Sequence, residues 1–376
     1  MLPRFKKIIV VSFSSATITI AVFYVLACFA PALNSGRHTY LAMLGLIFPL
    51  LLFIMLTFLI YLLIKKSKWA FVCIAILLLG YKQVAVMFSF NTYKKFDVSK
   101  TAATLRVLSW NLSGWGETSR EYKNNLDAMV KLIKSTDADV LCLQEYLYYK
   151  DEKYRDTIIT ALKEMGYQYI FFAKKDYGKG LFTKLRITGI EIMSKYPITN
   201  TAQFIYNEND ITEPLIYADI KINNKLVRFF TTHLESVRFE LDDYEGLHGL
   251  KNPFKTSIQQ SRATGGKLKY AYKKRALQAE LLHEKIEESP YPVIVCGDFN
   301  DVPNSYTYFT IKGNLQDAFL KKGSGFGRTF RFISPTLRID YILADKKFTV
   351  RQFYKFEVDY SDHYPIVSDI DILEKN

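Results

Sequence analysis

The sequence predicts an α/β domain preceded by a membrane region, and two observations support this. Three mostly apolar stretches, at 8–33, 39–64 and 69–90, are each long enough to cross a bilayer. From Thr104 onward, short runs rich in β-branched and aromatic residues alternate with helical stretches. That alternation over about 270 residues is typical of one α/β domain with a single core.

The apolar stretches predict three transmembrane helices. Lys82 interrupts the third stretch, which makes it the weakest of the three. A cleaved signal peptide or a lipoprotein site is the alternative for the first stretch, because basic residues precede it and "VLAC" lies inside it. We favour an uncleaved span, since the apolar run continues past Cys28 and two further stretches follow.

The distribution of charge indicates the orientation in the membrane. Of the net charge of +13, residues 1–100 carry +10, so the rest of the chain is nearly balanced and attraction to nucleic acid is weakly supported. Basic residues precede the first stretch and lie at 65–68, whereas the loop between the first two stretches contains only Arg37. The positive-inside rule therefore predicts a multi-pass protein of a bacterial-type inner membrane, with everything after about residue 95 extracytoplasmic. Three lysines at 94–100 argue mildly against this orientation.

We divide the chain into a membrane region (1–95), a linker (96–103) and a catalytic-type domain (104–376) with an insertion at about 236–274. Seven runs predict strands: "TLRVLSW", "DVLCLQE", "ITGIEIMS", "LIYADIKI", "LVRFFTTHL", "YPVIVCGDF" and "RIDYILA". Residues 122–135, 153–165 and 270–287 are predicted helices. The basic, aromatic segment 251–275 is interpreted either as a solvated surface insertion or as a lid or docking face for an anionic substrate or lipid headgroups.

Several predicted strands end in polar side chains that can bind a metal or move a proton. These residues are Asn111, Glu145, His233, Asp298, Asn300 and Asp340, joined by Asp362 and His363 just before an apolar run. Ligand sites of α/β sheets lie beyond strand ends, so the residues are expected to converge. One such residue would be an ordinary turn or cap, but a turn role does not account for so many together.

The donor set is rich in oxygen and contains only two histidines. It therefore favours Mg²⁺, with Mn²⁺ as the alternative, over Zn²⁺. No CxxC pair is present among the four cysteines, which we interpret as free buried residues. Two histidines suit general acid and base chemistry, so the expected reaction is metal-assisted attack of water on a phosphate ester.

The domain resembles the endonuclease/exonuclease/phosphatase superfamily from about Leu105 to Ile370. The resemblance rests on eight short motifs in the family's order: "VLSWNLSGW", "LCLQE", "GIEIMSKYPI", "TTHLES", "RALQ", "GDFND", "RIDYIL" and "SDHYPI". Each motif is weak alone, and their order makes the match specific. The resemblance implies a four-layered α/β/β/α sandwich with the site at one rim.

The resemblance also implies roles for the polar residues. Glu145, with Asn111 beside it, would bind the metal, and Asp362 would be a second carboxylate on the metal side. Asp298 and Asn300 would orient the attacking water and the phosphate. His363, oriented by Asp340, would be a base or contact the phosphate, and His233 would lie near the leaving group. Whether Asp298 or His363 accepts the proton stays open.

Other residues are interpreted more simply. Arg275 and Gln278 of "RALQ" are expected to hold a helix to the sheet, and Asp301 to serve a turn or cap. Glu191 and Glu235 are weakly supported hydrogen-bond partners of His233. His38, His248 and His283 lie outside all motifs and are expected to have no catalytic role.

The predicted function is that of a membrane-anchored, Mg²⁺-dependent phosphodiesterase or phosphatase. Ser113 stands where abasic-site endonucleases of the family carry an acidic residue, which disfavours DNA repair. The substrate stays open between a phospholipid or sphingolipid headgroup, a nucleic acid and a soluble phosphate ester. The main alternative is an extracytoplasmic nuclease. A non-catalytic membrane-tethered binding protein is disfavoured because all catalytic positions are filled, and no protein partner is predicted.

Overall fold

The computed structural model describes residues 2–101, 103–116, 122–149, 152–175, 186–206, 212–237, 258–332 and 334–372. Residues 238–257 of the predicted insertion lie outside the described residues. The rest of the segment 251–275 belongs to a helix. That helix, predicted to begin at residue 270, begins at Ile258.

The N-terminal region consists of four helices and a short 3₁₀ turn. They are α1 (Leu2–Phe29), the turn Ala30–Ala32, α2 (Thr39–Ile64), α3 (Trp69–Leu79) and α4 (Tyr81–Met87). Among the described residues, two helices are long and apolar enough to cross a membrane, covering Ser15–Ala32 and Thr39–Ile64. The predicted third span is not one helix, because α3 and α4 meet at a bend of 56°. The prediction of three continuous transmembrane helices is therefore corrected to two, or three if the bent pair is a broken span.

The rest of the described chain forms two large sheets and a small one. The strands are β1 (Ser89–Phe90), β2 (Thr104–Asn111), β3 (Val140–Tyr149), β4 (Tyr169–Lys174), β5 (Arg186–Ser194), β6 (Ile198–Phe204), β7 (Leu215–Ile222), β8 (Lys225–His233), β9 (Val293–Asp298), β10 (Gln316–Asp317), β11 (Ser324–Gly325), β12 (Asp340–Ala344), β13 (Thr349–Lys355) and β14 (Ile366–Asp371). The helices that follow the membrane region are α5 (Tyr122–Thr136), α6 (Glu152–Glu164), α7 (Ile258–Glu287), α8 (Tyr306–Lys312) and α9 (Ala318–Lys322).

The strand order places the ends of the central strands at one rim. The first sheet has the order β10-β12-β9-β8-β7-β6, and the second has the order β13-β14-β2-β3-β5-β4. Each sheet contains one parallel pair, β8 with β9 and β2 with β3. Strands β8, β9 and β2 end at His233, Asp298 and Asn111. The pairing of β3 with β2 ends at Gln144, directly before Glu145, so the two sheets bring these polar groups together.

Three clusters of buried side chains define four layers. The two sheets pack face to face through residues such as Cys142, Ile192, Phe229 and Ile294. Helices α5 and α6 cover the outer face of the second sheet, through Met129, Ile133, Ile158 and Leu162. Helices α7 and α8 cover the outer face of the first sheet, through Ala279, Leu282, Tyr308 and Ile311. The layers follow the order helix, sheet, sheet, helix.

The two-residue strands β1, β10 and β11 and the longer strands β4, β6, β13 and β14 are absent from the sequence prediction. Three of the longer ones, β4, β6 and β13, lie at sheet edges, where one side of the strand is unpaired. Strand β6 is mostly exposed and has the sequence ITNTAQF, which lacks a hydrophobic run. Edge strands need little apolar surface, so their sequences resemble loops.

The N-terminal helices pack directly on the sandwich. A Cβ atom at Gly45 of α2 would overlap the carbonyl oxygen of Asn304, so the two backbones approach closely. Arg338 donates to the carbonyl oxygen of Val86 at 2.8 Å, at the end of α4. Strand β1, directly after α4, pairs with β11. The N-terminal helices and the strand that follows them therefore contact the domain at several places.

Candidate active site

A cavity of about 770 Å³ opens at the rim where the polar strand ends meet. Its polar lining includes all but one of the predicted site residues: Asn111, Glu145, His233, Asp298, Asn300, Asp362 and His363. The exception, Asp340, does not line the cavity, but its Oδ2 lies 2.9 Å from Nδ1 of His363. The structure thus brings together all eight predicted residues.

Asp298 is the centre of the site, and β9 positions it. Gly297 has φ +143, and a Cβ atom there would overlap the carbonyl oxygen of Thr232 on β8, so only glycine fits beside the neighbouring strand. The Asp298 side chain is almost fully buried, and its Oδ1 accepts from the backbone N–H of Asn300 at 2.8 Å. Asn300 has φ +51, an uncommon conformation that is often found at functional sites.

His363 reaches Asp298 from the second sheet. Its Nε2 lies 3.6 Å from Asp298 Oδ2, and its Nδ1 lies 2.9 Å from Asp340 Oδ2. Trp110 Nε1 donates to the carbonyl oxygen of His363 at 3.0 Å, and the ring of Phe330 packs against the imidazole. The predicted orientation of His363 by Asp340 has the required geometry. Arg338, two residues before Asp340, pairs with Asp317 at 2.7 Å and leaves Asp340 to His363.

His233 reaches the same carboxylate from within the first sheet. Its Nε2 lies 3.6 Å from Asp298 Oδ2, and its Nδ1 lies 3.1 Å from Glu213 Oε2. Glu213 is fully buried and also accepts from the backbone N–H of Glu145 at 3.3 Å. The prediction that Glu191 or Glu235 is the hydrogen-bond partner of His233 is therefore wrong, because Glu213 is that partner.

Glu145 and Asn111 lie side by side near Asp298. Asn111 Nδ2 donates to Asp298 Oδ2 at 3.1 Å and to Glu145 Oε1 at 3.5 Å. The register of β3 against β5 shifts between Leu143 and Tyr146, and Glu145 within this bulge has φ +48. A bulge re-aims the side chain it contains. As a result the Glu145 side chain is 40% exposed toward the cavity, whereas its neighbours are buried.

Hydrogen bonds and charges in the site shift the pKa values of its central groups. Burial lowers the pKa of His233, but the hydrogen bond to Glu213 and the nearby carboxylates outweigh it and raise the pKa to about 9. For His363, burial is likewise outweighed by Asp340 and Asp298, and the pKa lies well above its usual value. Burial raises the pKa of Asp298 to about 6, although the charge of His363 opposes the rise. These shifts favour protonated imidazoles beside the Asp298 carboxyl group.

The residues expected to be structural make structural contacts. Arg275 donates to the carbonyl oxygen of Glu235 at 3.1 Å, and Gln278 accepts from the N–H of Glu235 at 2.9 Å, which ties α7 to the end of β8. Asp301 forms an ion pair with Arg275 at 3.3 Å and accepts from the hydroxyl of Thr307 at 2.8 Å. The second carboxylate of "GDFND" therefore serves the fold.

The donor set fits a hard divalent cation. Glu145, Glu213, Asp298, Asp340 and Asp362 surround two imidazoles, so the described site stays negatively charged even with both histidines protonated. Ligand atoms of Asp298, Asp340 and His363 also lie within 4.8 Å of one another. In that group, however, Nδ1 of His363 is already bound by Asp340. Glu145 instead presents carboxylate oxygen atoms at the cavity wall, as Mg²⁺ requires. Asn111 lies beside it, but its Oδ1 accepts from the backbone N–H of Ser113 at 3.0 Å.

Fold and site together define a class, an α/β sandwich with an acid–base site of carboxylates and imidazoles at its rim. The model of the Endonuclease/Exonuclease/phosphatase family matches residues 108–363, and the chain belongs to that family. Members are typically phosphoester hydrolases, and the family generally uses a divalent metal. A second family model, described only as a domain of unknown function, matches residues 6–87.

Solved structures share the fold. One is an endonuclease/exonuclease/phosphatase from Beutenbergia cavernae DSM 12333, with 19% identity, a TM-score of 0.52 and coverage of 72% of each chain. Another is the human nocturnin catalytic domain with bound sulfate anion, with 20% identity, a TM-score of 0.50 and coverage of 71% of this chain and 94% of that one. No curated protein matches the sequence.

Proposed function

We propose that this protein is a membrane-anchored, Mg²⁺-dependent phosphoester hydrolase in which water attacks phosphorus. The observation that carries the proposal is the convergence of His233 and His363 on Asp298 Oδ2, each at 3.6 Å, beside Glu145 and Asn111. In each ring the other nitrogen, Nδ1, contacts a buried carboxylate, Glu213 for His233 and Asp340 for His363. These pairs support an acid–base role. A non-catalytic binding protein would not need these paired groups.

Glu145 and Asn111 would hold Mg²⁺ or Mn²⁺, with Asp362 as a further carboxylate at the edge of the cavity. When bound, the cation would neutralise charge on the phosphate oxygens and favour attack by water. The Glu145 side chain meets the fit expected of such a site because its carboxylate is exposed to the cavity. Asn111 points Nδ2 at Glu145, so it would bind the cation through Oδ1 once its amide is turned over.

Asp298 is the residue that we assign as the general base. It is ionised above about pH 6, whereas the pKa of each neighbouring imidazole is raised, so at neutral pH it is the member of the group that can accept a proton. Asn300 would help to orient the water and the phosphate from the adjacent turn.

The two imidazoles act on the phosphate in this scheme. Water forms a bond to phosphorus as the bond from phosphorus to the leaving oxygen breaks, and protonated His233 supplies the proton that the leaving alcohol takes up. His363, held by Asp340, contacts the phosphate as a cation. The paired carboxylates keep both rings charged and oriented.

Membrane anchoring is supported by the two apolar helices α1 and α2. The domain contacts the loop between them, where Asn34 Nδ2 donates to Glu280 Oε1 at 2.7 Å, and the end of α4 at Val86. The basic loop at 65–68 lies at the other end of α2. With the positive-inside rule, this arrangement supports a multi-pass protein whose domain is extracytoplasmic.

The test is hydrolysis of bis(p-nitrophenyl) phosphate and p-nitrophenyl phosphate by the full-length protein in nanodiscs. EDTA should abolish activity, and Mg²⁺ or Mn²⁺ should restore it. His363→Ala should lower kcat by about 10²-fold to 10⁴-fold, the usual contribution of an acid–base residue. His38→Ala, which alters an exposed histidine that does not line the cavity, is the matched control.

Two outcomes would contradict the proposal. Activity that is indifferent to EDTA would exclude the metal. Equal loss of activity in His38→Ala and His363→Ala would show that the effect comes from general damage and not from the site.

A further inference from the structure

The membrane helix α2 forms part of the active-site cavity. One end of the cavity is lined by Asp298 and the two site histidines, and the other by Leu46, Ile47, Pro49 and Leu50 of α2. Leu46, Ile47 and Leu50 are 39%, 42% and 58% exposed, so their side chains are free to contact a ligand. The cavity therefore runs from a site suited to phosphate to a hydrocarbon wall.

The position of this wall in the bilayer follows from the length of the helix. A hydrocarbon layer about 30 Å thick takes about 20 residues of helix at about 1.5 Å per residue. Helix α2 ends at Ile64, directly before Lys65 and Lys66, which mark the bilayer surface opposite the domain. About 20 residues back from Ile64 is Gly45, where the domain makes its close contact through Asn304. Leu46 to Leu50 thus lie just inside the hydrocarbon layer.

Hydrogen bonds tie the chain on either side of the wall to the domain. Just before α2, Ser35 Oγ donates to the carbonyl oxygen of Tyr272 at 3.2 Å, and Asn34 Nδ2 donates to Glu280. At the end of α4, fully buried Arg338 binds both Asp317 and the carbonyl oxygen of Val86. The domain therefore keeps its rim at the membrane surface, and α2 stays beside the cavity.

The adjoining surface of α7 suits the headgroup region. Lys269 and Lys273 are exposed there, and Tyr270 is 51% exposed. The same part of α7 contacts the loop between α1 and α2, since a Cβ atom at Gly36 would lie 3.3 Å from Lys273 Cα. Basic and tyrosine side chains at this level favour contact with lipid headgroups.

We propose that the substrate is a membrane lipid phosphate ester, with its phosphate at Asp298 and the two histidines and its hydrocarbon chain along Leu46, Ile47 and Leu50. The lipid would reach the cavity sideways from the outer leaflet. The two imidazoles converge on Asp298 at one end of the cavity, and the apolar wall at the other end continues into the bilayer. A nucleic acid strand would have to cross the apolar face of α2, which disfavours it. This inference rests on the proposed hydrolase function and adds its substrate class.

The test uses the full chain in nanodiscs with Mg²⁺ and two substrates that share a headgroup, dihexanoyl- and dioleoyl-phosphatidylglycerol. Dioleoyl-phosphatidic acid is the monoester probe, and single-stranded DNA and RNA are the nucleic acid probes. We expect kcat/KM for the dioleoyl lipid to exceed that for the dihexanoyl lipid by about tenfold or more, because the longer chain contacts the α2 wall.

Leu50→Trp, which fills the apolar end of the cavity, should lower the dioleoyl to dihexanoyl ratio of kcat/KM by about tenfold. Phe53→Trp is the matched control, because Phe53 is exposed on the same helix but does not line the cavity. Its ratio should equal that of the unaltered protein. Similar expression and melting temperature for both variants would show that the helix still inserts and packs.

The outcomes separate the two levels of the argument. If neither bis(p-nitrophenyl) phosphate nor p-nitrophenyl phosphate is hydrolysed, the proposed function fails and the lipid inference with it. If either ester is hydrolysed but DNA or RNA is cleaved faster than every lipid, only the lipid inference is overturned. An unchanged chain-length ratio in Leu50→Trp would also overturn it.

Discussion

His233 and His363 hold the same relation to Asp298. Each places Nε2 3.6 Å from Asp298 Oδ2, and each has its Nδ1 bound by a buried carboxylate, Glu213 at 3.1 Å and Asp340 at 2.9 Å. The elements that hold the two rings differ. His233 lies opposite Asp298 in the parallel register of β8 and β9, and Glu213 lies just before the neighbouring strand β7.

His363 belongs to the turn before β14 in the second sheet, whereas its partner Asp340 faces Asp298 across β12 and β9 in the first sheet. The pair of His233 and Glu213 is therefore set by hydrogen bonding within one sheet. The pair of His363 and Asp340 exists only when the two sheets pack. The same chemical unit is thus built once from strand register and once from tertiary packing.

The largest effect should come from Asp298→Asn, because this change removes the carboxylate that both histidines face. We expect kcat on bis(p-nitrophenyl) phosphate to fall by about 10³-fold to 10⁴-fold with little change in melting temperature. Asp301→Asn is the control. It breaks the buried ion pair with Arg275, which typically costs about 3–5 kcal/mol, so it should lower stability instead. A decrease in kcat of less than tenfold for Asp298→Asn would show that Asp298 is not the catalytic group that the two histidines share.

Next in size are the two supporting carboxylates, tested by Glu213→Gln and Asp340→Asn. Each should lower kcat by about 10²-fold while KM changes little, since each acts by orienting its own histidine. In EDTA, NMR titration should show the pKa of His233 falling from about 9 in Glu213→Gln, with His363 unaffected. The converse should hold for Asp340→Asn. If either change shifted both rings equally, the two pairs would not be separate units.

A smaller effect concerns stability of the metal-free protein. Because the folded pKa of His233 is raised to about 9, its charge stabilises the fold fully below the unfolded value near 6.5. That contribution, at most about 3 kcal/mol, is lost as the pH rises through 9. Urea unfolding in EDTA should therefore show a loss of stability between pH 6.5 and 9. The loss should be smaller in Glu213→Gln, and a pH-independent free energy of unfolding would refute the pairing.

The smallest effect separates the ways in which the two rings are placed. Ser361 Oγ donates to the carbonyl oxygen of Asn111 at 2.8 Å and so joins the His363 turn to the second sheet. Ser361→Ala should lower kcat several-fold and stability by about 1 kcal/mol. Thr232→Ala, beside His233, removes a contact with Tyr206 but leaves the strand register intact. Thr232→Ala should lower stability without lowering kcat. A loss of kcat equal to that of Ser361→Ala would show that the two rings are not held in different ways.

The sequence predicted most of the site because its members end apolar strands and fall within ordered motifs. Glu213 was not predicted, since it lies in "ITEPLIY" with no motif or periodicity to distinguish it from a surface acid. The only available signal was its position directly before a strand. Its role depends on β7 lying beside β8 and on burial, and neither property is local in the chain.

The sequence by itself determined the apolar N-terminal stretches, the central strands and the identity of the polar groups at their ends. Residue type and short-range periodicity carry this information. Only the tertiary structure decided that α3 and α4 are bent apart, that Glu213 holds His233, and that Leu46 to Leu50 line the cavity. A leucine in α2 contributes the same hydropathy to the sequence whether its side chain faces lipid tails or an active site. Which of these it faces depends on the close approach of Gly45 to Asn304, a contact between residues distant in the chain.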